Sequence, residues 1–362
     1  MKVLHIGLDC THGGAESFLA TLIREQRKVG IEADVFFRND FGAASQFQNV
    51  CRVMFVKHNL LVDVLLKEKY DIIHVTSHAA SWVRKLLFCS LYRGPIVETS
   101  HAMGSCDDLL HADYVIAVSR AVANSIENKC TSKLEVIYNG IDTSIFFPPA
   151  NKSIQKPILG WVGRSNDGVK DFAGLVAISL HSSARNFQVI VADGSPANHE
   201  SGNWLPRSAQ VNYRMPWTEM PNFYRSIAAS GGFLLSTSRL EACPMNMIEA
   251  QACGCPVIAP SVGGIPEIVK HMQTGFIYSR DGGVEAIADG IDWLYQDYET
   301  VSENAINHVL ENHTAAAMCN QYSAIYEDAI KSHRITGLTR FGRMMLRSAM
   351  PCVKHVYSAI SH

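Results

Sequence analysis

Short apolar runs alternate with longer amphipathic stretches along most of the chain. Val3 to Leu8, Ala33 to Phe37, Arg52 to Val56, Asp71 to Thr76, Pro95 to Thr99, Tyr114 to Ser119 and Leu134 to Tyr138 have the make-up of buried strands. After the first run, Phe18, Leu19, Leu22, Ile23 and Val29 recur at helical spacing, with Arg24, Glu25, Arg27 and Lys28 between them, and Gly30 stops the helix. Further amphipathic stretches lie near 59–69, 80–92 and 120–129. Strands separated by helices pair in parallel through right-handed crossovers, so the pattern predicts a doubly wound α/β sheet.

The alternation breaks once. Asn139 to Lys152 is rich in turn residues and lacks periodicity, which makes it the linker candidate. Beyond it the pattern restarts with strands at Pro157–Gly163, Phe187–Ala192, Ala209–Met215, Gly232–Ser236 and Cys255–Ala259. Helices are expected from Asp171 to about Ser183, near 218–228, at Pro266–His271, and over 284–298 and 314–333. Residues 195–208 read as an irregular insertion. Two doubly wound halves joined by a hinge face each other across a cleft, where small-molecule sites tend to lie.

Composition narrows the picture. With 362 residues, two domains are expected, and 47% hydrophobic against 18% charged residues is the balance of a globular protein. A net charge of -2 argues against nucleic acid as the main partner. The ten cysteines form no paired framework and no C-x-x-C, so reduced thiols in a cytoplasmic protein are expected rather than disulfides or zinc. The first strand starts directly after Met1 and is too short for a secretory segment, so no export signal is expected.

Candidate chemistry sits where the strands end, because ligands of open α/β sheets bind beyond the carboxyl ends of their strands. Gly13 and Gly14 follow the first strand and open a helix, an arrangement in which backbone N–H groups meet an anion. His101 follows another strand and can hydrogen-bond a hydroxyl. In the second half, Arg164 ends the first strand and Lys170 precedes a helix, two cations suited to a diphosphate. Glu241 and Glu249, eight positions apart, flank a strand-to-helix junction, with one carboxylate on the loop and the other a turn or so into the helix.

Four landmarks occur in a fixed order: Gly13-Gly14-Ala15-Glu16, Asn139-Gly140-Ile141-Asp142, Gly163-Arg164 with Lys170, and Glu241 and Glu249 running into Gly263-Gly264-Ile265-Pro266-Glu267. In these the chain resembles the retaining glycosyltransferases of family 4, whose GT-B architecture places two Rossmann-like domains around a cleft. The resemblance implies an N-terminal acceptor domain over 1–148, a C-terminal donor domain over 149–312 and a helix at 313–333 crossing back to the first domain. It implies a nucleotide-diphosphate sugar as donor, Glu249 on its ribose hydroxyls and Glu241 beside the transferred sugar. Arg164 and Lys170 would hold the diphosphate, Gly13 and Gly14 would close over it, and backbone groups of Cys243, Pro244, Met245, Asn246 and Met247 would contact the sugar or phosphate. Met215 would stand near the base, and His101 near the sugar.

No metal or other cofactor is implied, since cations and helix N-termini supply the positive charge. The acceptor is expected to be a glycan, a lipid-linked compound or a small molecule, reached by loops 39–49 and 101–112. A nucleotide-sugar epimerase of the same architecture and a non-catalytic nucleotide-sugar or glycan-binding module are the alternatives. The extension 334–362 carries Arg334, Arg340, Arg343, Arg347 and Lys354 and no acid, which fits docking on the anionic inner face of a membrane or packing on the N-terminal domain.

Overall fold

The computed structural model describes residues 1–58, 61–79, 82–83, 92–104, 112–153, 156–196 and 199–333. Most of the helix expected near 80–92, part of the 101–112 loop and the whole basic extension 334–362 lie outside the described residues.

The buried runs become the strands of two parallel sheets. The first holds β1 (Lys2–Cys10), β2 (Glu32–Asp40), β3 (Arg52–Phe55), β4 (Ile72–Thr76), β5 (Ile96–Ser100), β6 (Tyr114–Ala117) and β7 (Lys133–Val136), in the order β3-β2-β1-β4-β5-β6-β7. The second holds β8 (Ile158–Gly163), β9 (Gln188–Asp193), β10 (Gln210–Tyr213), β11 (Phe233–Leu235), β12 (Val257–Pro260) and β13 (Gly275–Tyr278), in the order β10-β9-β8-β11-β12-β13. Both orders reverse beside the first strand of the sheet, between β1 and β4 and between β8 and β11. Connections leave in opposite directions at such a point and open a crevice at the strands' carboxyl ends. Gly13 and Gly14 follow β1, Arg164 follows β8, and Glu241 lies beyond β11.

Two elements were not expected from the pattern. β13 is four residues long and starts at Gly275, too short to show alternation. The helix Tyr298–Asn312 spreads its buried Val301, Ala305 and Val309 along one face among charged residues, and Asp297 caps it by accepting from the Thr300 N–H at 3.4 Å.

The chain crosses between the sheets twice, at one place. Ile141 N–H donates to the His313 carbonyl at 2.9 Å, and Ala315 N–H to the Ile141 carbonyl at 2.8 Å. A Cβ at Gly140 would lie 2.5 Å from the Thr314 carbonyl oxygen, so glycine is what lets the two segments touch. After the second crossing a helix over 315–333 buries Met318, Cys319, Tyr322, Tyr326 and Ala329 among Phe18, Ile72 and Val97 of the first sheet's layer.

Beneath that helix runs a buried polar network. Tyr326 Oη lies 2.8 Å from His74 Nδ1, His74 Nε2 lies 2.7 Å from Thr99 Oγ1, and Thr99 Oγ1 lies 3.0 Å from Tyr322 Oη. Burial holds His74 well below its usual range, so the network is neutral. Loss of a buried hydrogen bond costs about 1–2 kcal/mol. Tyr322→Phe is therefore expected to destabilise the N-terminal layer by that amount in urea titrations, and an unchanged midpoint would show that the hydroxyl contributes nothing.

Candidate active site

The C-terminal side of the cleft is built from two loops stitched together. Lys170 Nζ donates to Glu241 Oε1 at 2.5 Å, and Ser238 Oγ donates to the same oxygen at 2.7 Å. The Arg239 N–H bonds the Val169 carbonyl at 2.7 Å, and Thr237 Oγ1 bonds the Lys170 carbonyl at 2.9 Å. Asp171 sits beneath both loops and receives Arg239 at 3.1 Å and Arg280 at 2.7 Å. Burial opposes its charge, but the two guanidinium groups outweigh that and hold its carboxyl below the usual range.

The Arg164 loop has its own anchor. The buried Asp193 at the end of β9 accepts from Ser165 Oγ at 2.5 Å, Ser201 Oγ at 2.7 Å, and the N–H groups of Ser165 and Ser195 at 3.1 and 2.8 Å. Burial again works against the charge, and the hydroxyl and amide donors again prevail, leaving the carboxyl below its usual range. Ser195 and Ser201 belong to the stretch read as an irregular insertion; their part in this anchor was missed because serines among Gly, Pro and Asn carry the signature of turns. A concavity of about 490 Å³ opens beside this loop, lined by Asp167, Phe172, Trp204 and Arg239 among others; it includes neither Glu241 nor Glu249.

The helix Met245–Ala252 carries Glu249 on its buried side. Tyr224 Oη donates to Glu249 Oε2 at 3.0 Å, and burial pushes the carboxyl up to about 7 against that hydrogen bond. Tyr224 is a partner that sequence reasoning missed, since it lies within the helix expected near 218–228, 25 positions from Glu249. Of the stretch Cys243 to Met247, Pro244 has no N–H, and the Met247 N–H is taken by the Pro244 carbonyl at 3.3 Å. The backbone donors expected from this stretch are therefore reduced to Cys243, Met245 and Asn246. Asn246 turns its side chain to the Val162 carbonyl at 3.4 Å, at the end of β8.

From the other domain, Gly14 comes up to this helix: a Cβ there would lie 3.8 Å from Met245 Cγ. The glycine loop has an acid of its own beside it. A Cβ on Gly13 would lie 2.6 Å from Glu16 Oε2, and Thr11 Oγ1 donates to that oxygen at 3.2 Å. Burial raises the Glu16 carboxyl to about 7.

The remaining expected residues divide. Arg164 extends into solvent and pairs with Asp167 at 2.7 Å, so neither of the two expected phosphate-binding cations stands unpaired. Met215 is half-buried against the core shared by the two sheets. His101 packs edge-on to Phe18, with ring centroids 4.7 Å apart, and its Nε2 is buried with no partner. Burial first, then His78, lowers its pKa to about 3. It is a neutral imidazole, able to exchange hydrogen bonds but not to serve as an acid near neutral pH.

Among the described residues no group of three or more His, Cys, Asp and Glu is placed to hold a metal ion, and no helix is long and apolar enough to cross a membrane.

Comparison with known proteins supplies the family. The profile described as Glycosyltransferase Family 4 matches residues 12–145, and that described as Glycosyl transferases group 1 matches 147–308. The chain is 25% identical over 315 residues to N-acetyl-alpha-D-glucosaminyl L-malate synthase of Bacillus anthracis, covering 76% of this chain and 79% of that protein. It is 22% identical to D-inositol 3-phosphate glycosyltransferase of Corynebacterium glutamicum, covering 91% and 95%. Among solved structures, sucrose-phosphate synthase from Thermosynechococcus elongatus superposes with a TM-score of 0.76 at 19% identity, covering 92% of this chain and all of that one (100%). Anabaena HepE in complex with UDP and glucose superposes with a TM-score of 0.73 at 20% identity, covering 91% and 100%. With two parallel-sheet domains of matching topology and family profiles spanning both, the chain belongs to the group 1 and family 4 glycosyltransferases of GT-B fold.

Proposed function

We propose that the protein moves a sugar from a nucleotide-diphosphate sugar to a glycan, lipid-linked or small-molecule acceptor, with retention of configuration and without a metal ion. The observation that carries this reading is the Lys170–Glu241 pair beside the helix bearing the buried Glu249, faced by Gly14 from the other domain. Relatives and neighbours support the donor class: one neighbour was solved with UDP and glucose, and the curated relatives are named for attaching sugars to malate and to inositol phosphate.

Breaking the bond between the sugar and the diphosphate leaves negative charge on phosphate and positive character on the ring. In this reading Lys170 turns from Glu241 to the diphosphate and Arg164 turns from Asp167, which places both cations where charge develops. Glu241 then accepts from hydroxyls of the transferred sugar, Glu249 accepts from the ribose, and the N–H groups of Met245 and Asn246 face the sugar or phosphate. The acceptor hydroxyl attacks the same face that the leaving phosphate departs from and gives it its proton. Met215 borders the base, and the neutral His101 offers its free Nε2 to a sugar hydroxyl.

Glu249→Ala is expected to weaken nucleotide-sugar binding roughly tenfold or more, as loss of a charged hydrogen-bond acceptor does. Lys170→Ala is expected to act mainly on kcat. Wild-type kinetics in both variants would remove the site assignment. Transfer is expected to survive excess EDTA, and donor incubated alone to yield no epimer; an epimer would favour the alternative enzyme.

The raised Glu249 carboxyl makes a pH prediction. Ribose hydroxyls donate more strongly to the ionised form, which accepts on both oxygens, so nucleotide affinity is expected to rise with pH up to about 7 and level off above it. Calorimetry below pH 7 in buffers of different ionisation enthalpy should register a released proton. Stability of the unliganded protein runs the other way. An acid raised from 4.5 to about 7 contributes stability in full below 4.5 and loses it as pH rises through 7, a change of roughly 3 kcal/mol. Glu249→Gln should flatten both profiles; unaltered profiles in that variant would show that another group titrates.

A further inference from the structure

Two stretches singled out in the sequence, Asn139 to Asp142 and Gly263 to Glu267, take no direct part in holding a donor in the reading above. Both lie where the two sheets meet. Tyr138 and Asn139 leave the end of β7 just before the first crossing, and their side chains reach loops of the opposite sheet. Tyr138 Oη donates to Glu267 Oε2 at 2.7 Å, and Asn139 Nδ2 donates to the Cys243 carbonyl at 2.9 Å. Glu267 also accepts the backbone N–H of Arg120 at 2.9 Å and of Ala121 at 2.8 Å. Both of its carboxylate oxygens are therefore held by the N-terminal domain.

These contacts bracket the loop that carries the expected donor contacts. Cys243 stands two residues after Glu241 and two before Met245. Gly264, three residues before Glu267, donates its N–H to the Glu241 carbonyl at 2.9 Å. Asn139 is 3% exposed and its Oδ1 has no partner. A buried acceptor left unpaired is costly, so an amide here is explained by the donor half that it turns to Cys243 rather than by packing.

We propose that Tyr138, Asn139 and Glu267 form a clasp between the domains that sets the separation of the Glu241 loop from the Gly13-Gly14 loop. They are positioning residues for sugar transfer, acting through the Cys243 carbonyl and the Gly264–Glu241 contact, and they do not touch the donor. The inference rests on the transfer reaction proposed above. Opening the cleft breaks the Glu267 bonds and returns its carboxylate and the Arg120 and Ala121 N–H groups to water. Charge-assisted bonds of this kind are the stronger class, which makes the clasp a contact that is either made or broken. With the clasp made, the cleft shuts water away from a cleaved donor; with it broken, water competes with the acceptor.

The test uses the full-length protein and the variants Glu267→Ala, Glu267→Gln and Tyr138→Phe. Small-angle X-ray scattering without ligand is expected to give a larger radius of gyration for Glu267→Ala than for wild type. With UDP-glucose as probe, kcat for transfer is expected to fall ten- to a hundredfold, the range for a misplaced reacting pair, with little change in donor KM and a larger share of donor lost to hydrolysis. Glu267→Gln, which keeps one accepting oxygen, should recover part of this, and Tyr138→Phe, which removes a single hydroxyl, should fall between. Unchanged scattering and an unchanged transfer-to-hydrolysis ratio in Glu267→Ala and Tyr138→Phe would overturn the clasp. So would variants that melt earlier but turn over like wild type. The scattering arm needs no donor: a wild-type protein that turned over no nucleotide sugar would sink the functional reading, while the clasp would still stand or fall on its radius of gyration.

Discussion

No side chain fits at positions 263 and 264. A Cβ on Gly263 would lie 2.0 Å from the Glu241 carbonyl oxygen, and one on Gly264 would lie 1.9 Å from that of Ala242. The two loops therefore meet backbone to backbone, with Gly263 in the left-handed region at φ +51°. Everything on the C-terminal wall of the cleft depends on this approach. It holds the loop so that Glu241 meets Lys170 on one side, while the carbonyl two residues further on meets Asn139 on the other. The Ala242 carbonyl faces the partner loop.

The charges of the site neutralise one another in the absence of a ligand. Lys170 pairs with Glu241, and Arg164 with Asp167. The Lys170–Glu241 pair removes charge that a half-buried cleft would otherwise leave poorly solvated. A ligand that separates the pairs has to satisfy both partners. A bare diphosphate meets the cations but strands Glu241, and a free sugar does the reverse. A nucleotide-diphosphate sugar, as proposed, brings phosphates for the cations and hydroxyls for the acids together. Selectivity for the whole donor over its parts then follows from the cost of leaving a buried charge without a partner.

Much of the fold was legible because parallel strands buried on both faces read as continuous apolar runs, and seven of these precede the turn-rich stretch that starts at Asn139. β13 escaped because four residues beginning with glycine leave no pattern to read. At the candidate site, Glu241, Glu249, Arg164 and Lys170 were singled out by their places after strands and on a helix. Their partners were not: Lys170 and Glu241 are 71 positions apart, Tyr224 and Glu249 are 25 apart, and local pattern does not report contacts of that range. Nor does it show that Asp193, Ser195 and Ser201 converge, because polar residues among glycine and proline carry the same signal whether they bond each other or water.

The place of the two crossings bears on how the cleft can move. Ile141 and Thr314 pair as short neighbouring segments, and the helix that follows is bound to the N-terminal layer through Tyr322 and Tyr326. That helix therefore moves with the first sheet, and the helix Tyr298–Asn312 before the crossing, which ties to the Gly254 carbonyl through Ser302 Oγ at 2.7 Å, moves with the second. The two crossings pass close together around Gly140 and His313, where Tyr138 and His313 pack ring against ring at 5.8 Å. Burial lowers His313 to about 4, so this ring stays neutral near neutral pH and adds no charge to the crossing. A neutral, tightly packed pivot supplies little preference of its own for open or closed. The preference must come from contacts off the axis, and the Glu267 carboxylate, with bonds from Arg120, Ala121 and Tyr138, places a charge there.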